Sequence, residues 1–169
     1  NHSLKSDKSI IILIGKTFGH IEQSCFLREN HSIIEGMPPE VNLLNEKNNG
    51  ETVLDLINAN LLKSVHDVSS GGIIIALSEM SISSNLGLKI NKPKKLGNIA
   101  EYFFGEDQSR YILEIDPKNL VKVEKLLKKK DIYYENIGKT QKNYFEIENE
   151  MKISVKDLFK INNQWYNNY

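Results

Sequence analysis

The residues with the most potential for chemistry lie in a small-polar turn, Ser69-Ser70-Gly71-Gly72, between a short apolar stretch and a long apolar helix. Adjacent glycines let the backbone adopt a positive φ or approach another group closely, and Ser69 or Ser70 can cap the helix that follows. Because the first N–H groups of a helix have no internal partner, such a turn can bind phosphate. The Gly-Lys-Ser/Thr of a P-loop and the spaced glycines of a dinucleotide fingerprint are both missing. Local chemistry therefore favours a tight structural connection, with phosphate binding as the alternative.

His66 and Asp67 come shortly before this turn. Asp67 can hold a histidine in a catalytic tautomer or bind Mg²⁺, but the pattern favours an aspartate that caps backbone N–H groups of the turn. No histidine has metal-ligand spacing to another histidine or to Cys25, so we predict no metal site. Cys25 lies in an apolar run and is predicted to be a small buried hydrophobe rather than a nucleophile.

A second candidate site consists of Glu106, Gln108 and Arg110, which alternate along the chain. In an extended segment these three side chains would project to one side. An acid, an amide and a guanidinium on one face could bind a ligand. They could equally form a buried ion pair that ties the strand to its neighbour. The residue types do not decide between these two roles.

Length and composition place these candidates in an ordinary globular domain. The chain has 169 residues, 22 basic and 22 acidic side chains and a formal net charge of zero, which gives no indication of nucleic acid or of an anionic membrane as a partner. Its longest apolar runs, at residues 10–14 and 73–77, are too short to span a bilayer. A single cysteine excludes an internal disulfide, so we expect a reducing, cytoplasmic location.

Strands and helices alternate in the first half of the chain, and strands cluster in the second half. Apolar runs predict strands at 10–14, 64–68, 88–90, 111–115, 132–137, 144–147 and 151–155. Helical spacing predicts helices at 51–60, 72–83, 99–104, 117–130 and 155–160, and weaker spacing of this kind occurs at 21–28. Asn49-Gly50 and residues 148–150 predict turns, residues 93–97 a charged loop, and Trp165 is expected to pack near the end of the chain. This order predicts one domain over residues 1–169 with an α+β (α/β layered) fold, in which a mixed β-sheet packs against helices on one or both faces.

Several motifs occur in an order that matches one family. They are Leu13-Ile14-Gly15-Lys16-Thr17, Gly19-His20-Ile21-Glu22-Gln23-Ser24, Glu35-Gly36-Met37-Pro38-Pro39, His66-Asp67-Val68-Ser69-Ser70-Gly71-Gly72 and Phe104-Gly105-Glu106-Asp107-Gln108-Ser109-Arg110-Tyr111. On these motifs, over about residues 10–165, the chain resembles the phosphoribosylformylglycinamidine synthase family, within the aminoimidazole ribotide synthetase superfamily. It is most similar to the second C-terminal-type domain of the large synthetase subunit. Two positions depart from the family pattern: Ser70 stands where Asp is usual, and Glu22 where Gly is usual.

The resemblance implies that the whole enzyme uses ATP and Mg²⁺ to convert formylglycinamide ribonucleotide and glutamine-derived ammonia into the amidine, ADP and phosphate. It implies that the catalytic histidine and the principal Mg²⁺ ligands lie in other domains, so no catalytic residue and no metal ligand is predicted here. The implied partners are the remaining domains of the subunit, a glutaminase subunit and a small bridging subunit. The candidate substrate or phosphate contacts are His66, Asp67, Ser69, Ser70, Gly71, Gly72, Glu106, Gln108 and Arg110.

Three functional hypotheses remain. The first is a domain of an ATP-dependent ligase that supports the active site and the subunit interface without performing chemistry. The second is a phosphate- or nucleotide-binding module at a pseudo-symmetric auxiliary site. The third is a free-standing scaffold protein, ranked last because the chain starts without Met and matches the family over almost its whole length. We therefore expect a C-terminal fragment of a longer synthetase chain.

Overall fold

One seven-stranded sheet organises the part of the chain that the computed structural model describes, residues 1–93 and 98–167 with side chains up to residue 164. The strands are β1 Ile10–Ile14, β2 Ser64–Asp67, β3 Gly87–Ile90, β4 Tyr111–Ile115, β5 Tyr134–Gln141, β6 Tyr144–Ile147 and β7 Met151–Ser154. Their order across the sheet is β2-β4-β1-β5-β3-β6-β7. Neighbours are antiparallel except for β3 and β6, so the predicted mixed sheet is confirmed. Residues 94–97 of the charged loop predicted at 93–97, like the side chain of Trp165, lie outside the described residues.

Helices cover both faces of this sheet. They are α1 Cys25–His31, α2 Leu43–Asn58, α3 Gly72–Ser84, α4 Ile99–Phe104, α5 Leu120–Lys129 and α6 Val155–Asn167. On β1, Ile11 and Leu13 belong to the core formed with α3 and α4, whereas Ile12 and Ile14 belong to the core formed with α2 and α5. Successive strand residues point to opposite faces, so a strand buried on both faces is an unbroken apolar run.

The α3 helix packs between the sheet and α4 and α6, as its apolar residues on nearly every face predicted. Ile73, Leu77 and Met80 are completely buried. Each turn of α3 therefore contributes apolar surface to one core, and the start of the helix is held in a fixed position relative to α4. Among the described residues, no helix is long and apolar enough to cross a membrane.

Several predicted boundaries were wrong. The α2 helix begins at Leu43 rather than at residue 51, and Asn49 and Gly50 lie inside it rather than in a turn. Asn42 is the N-cap: its side chain accepts a hydrogen bond from the Asn45 N–H at 2.9 Å. The α1 helix begins at Cys25 rather than at residue 21, β5 runs on to Gln141, and α6 reaches Asn167 instead of ending at residue 160.

A buried carboxylate anchors the N-terminal segment to the sheet. Glu114 on β4 is completely buried. It accepts hydrogen bonds from the Lys5 N–H at 2.8 Å, the Ser6 N–H at 3.2 Å and the Ser64 hydroxyl at 2.9 Å. Because two of these donors are backbone N–H groups of residues 5 and 6, the N-terminal segment is tied to β4 and is part of the fold.

Candidate functional site

The glycine turn joins β2 to α3, and both of its glycines have a positive φ. Gly71 is the N-cap of α3, with φ of +81°. Gly72 has φ of +72° and is buried; a Cβ on it would lie 2.6 Å from the carbonyl oxygen of Phe103 and 2.7 Å from that of Gly105. Close approach to the end of α4, together with the positive φ, therefore excludes a side chain at Gly72.

The prediction that Ser69 or Ser70 caps α3 was wrong. Neither hydroxyl bonds to the helix; α3 has no side chain of its own turn as a cap. Instead the Gly71 N–H donates to the Glu106 carboxylate at 2.8 Å, and the Gly72 N–H donates to the Ser69 carbonyl at 3.1 Å. Both glycine N–H groups that could have held a phosphate are thus satisfied within the chain.

Glu106 links two helix starts with one oxygen. Its Oε1 accepts from the Gly71 N–H before α3 and from the Cys25 N–H at the first residue of α1, each at 2.8 Å. A carboxylate interacts favourably with the positive ends of helix dipoles. The anion at the glycine turn is therefore supplied by the chain itself, from a residue 35 positions away along the sequence.

The neighbouring Asp107, which sequence reasoning did not single out, holds the loop after β1. Its Oδ2 accepts from the N–H groups of Phe18 and Gly19, each at 3.0 Å, and its Oδ1 accepts from the His20 N–H at 3.3 Å. Three successive backbone donors on one carboxylate fix the loop conformation. The sequence gives little warning of this role, because Asp107 lies almost 90 residues away from the loop that it holds.

Arg110 is a structural cation. Its side chain is completely buried and donates to the Gly105 carbonyl at 2.6 Å, the Asp107 carbonyl at 3.0 Å and the Thr17 hydroxyl at 3.3 Å. Nη1 also lies 3.8 Å from the Asp107 carboxylate. Burial lowers the pKa of Arg110, and the Asp107 carboxylate opposes that change. Of the two roles left open for this residue, its contacts fit the buried ion pair.

Glu106, Gln108 and Arg110 do not project to one side. Residues 105–110 form a turn rather than a strand, and β4 begins only at Tyr111. Glu106 points to the starts of α1 and α3, Arg110 points inward, and Gln108 is exposed at the edge of a cavity formed with α2. The predicted common face was wrong because the alternation argument requires an extended backbone.

His66 lies between two carboxylates. Its Nε2 is 2.8 Å from Glu79 on α3, and its Nδ1 is 3.3 Å from Asp67. Asp67 therefore pairs with the histidine rather than with N–H groups of the turn, contrary to the favoured prediction. Among the described residues, no group of three His, Cys, Asp or Glu side chains could hold a metal ion. Residues 69–72 of the turn carry no carboxylate, and the nearby Asp67 contacts His66.

Cys25 and Glu22 both make local contacts near the start of α1. Cys25 is half-buried rather than buried, and its Sγ accepts from the Arg28 guanidinium at 3.0 Å. Glu22, the departure from a family glycine, accepts a hydrogen bond from the Met37 N–H at 2.8 Å. Its φ is not among the positive values, so the position does not require glycine in this chain.

Fold and site together define a mixed α+β domain whose polar turns are held mainly by internal carboxylates. The chain belongs to the family described as "AIR synthase related protein, C-terminal domain", whose model matches residues 9–147.

Curated relatives extend this similarity. The chain is 45% identical over 166 residues, 98% of its length, to the phosphoribosylformylglycinamidine synthase subunit PurL of Pelagibacter ubique. It is 36% identical over 167 residues, 99% of its length, to the PurL subunit of Rhodopseudomonas palustris. In both cases it spans 23% of the relative's length.

Solved structures have the same fold. PurL of Thermotoga maritima in complex with FGAR matches with a TM-score of 0.73 at 17% identity, covering 93% of this chain and 29% of that one. PurL of the same organism complexed with ATP matches with a TM-score of 0.69 at 15% identity, covering 93% and 26%. At these identities the similarity concerns the fold alone.

Proposed function

We propose that the chain acts as a C-terminal-type domain of a longer phosphoribosylformylglycinamidine synthase, an ATP-dependent carbon–nitrogen ligase of purine biosynthesis. The single observation that carries this proposal is the 45% identity to a PurL subunit over almost the whole chain. The substrates would be formylglycinamide ribonucleotide, ATP with Mg²⁺, and glutamine-derived ammonia. A glutaminase subunit and a small bridging subunit are the proposed partners, in the cytoplasm; a solved relative named PurLQS supports a multi-subunit assembly.

Within such an enzyme this domain supports the active site rather than performing chemistry. The groups that could bind phosphate are engaged internally: the glycine turn by Glu106, and the buried guanidinium of Arg110 by carbonyl oxygens. An internally satisfied polar network gives rigidity, and it offers few free groups to a substrate. These contacts favour the supporting role over a phosphate-binding module at the turn.

An exposed apolar segment before and at the start of α2 supports an interface role. We define it by Ile34, Met37, Val41, Leu43 and Leu44, each at least 60% exposed. Isolated exposed hydrophobes are normal, but several within eleven residues mark an interaction site. We propose that this apolar segment contacts other domains of the synthetase.

The test uses the full-length synthetase that contains this domain and the 169-residue chain alone. Leu43 and Leu44 are both changed to Ser, and Val121→Ser serves as control because Val121 is 76% exposed on α5. Melting temperature is measured for both proteins, and ADP formation dependent on formylglycinamide ribonucleotide is measured for the full-length one. We expect L43S/L44S to lower the melting temperature of the full-length enzyme by more than V121S does, and to affect the isolated chain no more than V121S.

Two results would contradict the proposal separately. A full-length protein that forms no ADP when formylglycinamide ribonucleotide and ammonia are both supplied with ATP and Mg²⁺ is not this ligase. Equal effects of L43S/L44S on the full-length protein and on the isolated chain would mean that the apolar segment is not an interface.

A further inference from the structure

A cavity of about 590 Å³ lies at one end of the sheet, apart from the glycine turn. Its walls are the loop after β1, the N-terminal half of α2, the turn before β4 and the residues before β5. The end of β1 and the starts of β4 and β5 meet there because both of those strands run antiparallel to β1. The volume is within the range of small-molecule sites.

Neutral side-chain amides supply the free hydrogen-bonding capacity of this cavity. Among the described residues, the side chains of Asn45, Asn48 and Gln108 have no hydrogen-bond partner, and all three are exposed to the cavity. Other lining groups are already engaged: Asn49 donates to the Ser109 carbonyl at 2.8 Å, and Asp107 accepts from the loop after β1. Because an amide both donates and accepts, these groups suit a ligand with mixed hydroxyl, carbonyl and amine groups.

The charges around the cavity disfavour a polyanion. Lys16 contributes an ammonium, which lies 5.8 Å from the centre of the Tyr133 ring. Glu40 and Asp131 contribute carboxylates for which the described part of the chain provides no ion pair, while the Asp107 carboxylate lies near Arg110. His20 faces the Met37 carbonyl oxygen, 2.7 Å from its Nε2. A triphosphate would meet more negative than positive charge here.

Two aromatic rings complete the lining. Phe18 is 74% exposed and Tyr133 is 46% exposed, and both border the cavity. Exposed rings provide faces on which planar heteroaromatic groups stack. From rings, neutral amides and a carboxylate-rich rim, we propose that this cavity binds an uncharged nucleoside, with the base against an aromatic ring and the sugar hydroxyls on the amides. The inference goes beyond the supporting role, because that role does not require a ligand in this domain.

The test is a titration of the isotopically labelled 169-residue chain with adenosine, guanosine and uridine, followed by backbone amide signals. ATP and inorganic phosphate are titrated in parallel to test the charge argument. We expect saturable shifts for at least one nucleoside at residues 16, 45, 48, 108 and 133, and weaker binding of ATP than of adenosine. Asn45→Ala and Asn48→Ala should each weaken binding roughly 2- to 10-fold, the effect of losing one hydrogen bond.

The matched control is Asn162→Ala, an exposed asparagine on α6 outside the cavity. All three positions are helical and are not buried, so alanine preserves the fold, which a thermal melt verifies. The proposal is overturned if no nucleoside saturates in the millimolar range or if ATP binds as tightly as adenosine. It is also overturned if the Asn45 and Asn48 variants bind no more weakly than Asn162→Ala.

Discussion

Replacing Glu106 with Ala should destabilise the domain, because the Glu106 carboxylate holds the glycine turn to the start of α1. The substitution removes two hydrogen bonds to a carboxylate, from the Gly71 and Cys25 N–H groups at 2.8 Å each. Hydrogen bonds to charged groups contribute about 1.5–3 kcal/mol each, and Gly71 is buried, so its N–H would be left without a partner. Two such bonds would total about 3–6 kcal/mol. Because Glu106 is itself half-exposed, solvent screening reduces this sum, and we expect a loss of about 2–4 kcal/mol.

The assay is urea unfolding and thermal melting of the 169-residue chain. For a domain of this size 1 kcal/mol corresponds to about 2–4 °C, so Glu106→Ala should melt roughly 5–15 °C lower than the unchanged chain. Glu148→Ala, an exposed glutamate in the turn after β6, is the matched control and should change the melting temperature by no more than about 2 °C. A melting temperature for Glu106→Ala that matches the control would refute the reasoning.

The conservative variant separates charge from geometry. Glu106→Gln keeps an acceptor oxygen but not the negative charge, so it should lose about half of what Ala loses. Formate should partly restore the melting temperature of Glu106→Ala, because a free carboxylate can accept from the same N–H groups. Formate is used only at concentrations that leave the melting temperature of the unchanged chain unaffected. If Glu106→Ala shows no recovery under these conditions, the turn has rearranged in the alanine variant.

Two further predictions concern backbone strain and pH. Gly72→Ala should lower the free energy of unfolding by at least about 2 kcal/mol, since it adds an atom 2.6 Å from the Phe103 carbonyl oxygen at a positive φ. Gly50→Ala, inside α2, should be neutral or stabilising by up to about 1 kcal/mol. Similar urea midpoints for the two variants would contradict this prediction. Burial and the hydrogen bond to Glu46 raise the pKa of Tyr111 to about 12. An unfolded tyrosine ionises near pH 10, so the contribution of Tyr111 to stability is complete below about pH 10 and is lost as the pH rises toward 12. Tyr111→Phe should make stability fall less steeply in that window, and an unchanged slope would show that other groups cause the loss.

The central strands could be predicted because their residues carry the signal themselves. Residues 10–14 are apolar without interruption, and a strand buried on both faces requires that composition. The start of α2 could not be found in this way, because Leu43 and Leu44 are exposed and give no amphipathic pattern. The available signal was Asn42, whose side chain caps the helix.

The candidate site was harder to predict, because its contacts join distant parts of the chain. Glu106 is 81 residues from Cys25, and Arg110 is 93 residues from Thr17. The acceptors and donors at the other end are mostly backbone groups, which every residue possesses and which therefore leave no trace in the sequence. The alternation of Glu106, Gln108 and Arg110 could single them out as candidates, but it could not tell a ligand contact from an internal one.

The glycine turn shows why an anion site and a structural connection have the same sequence. Both need glycines and the start of a helix, because both place N–H groups around a negative charge. Here that charge belongs to Glu106, and a carboxylate tethered in place has an effective concentration far above that of a free anion. An external phosphate would have to displace Glu106 and break its bond to Cys25 as well as its bond to Gly71. With Ser70 in place of the usual family aspartate, the turn also offers no carboxylate of its own to hold Mg²⁺ beside such a phosphate.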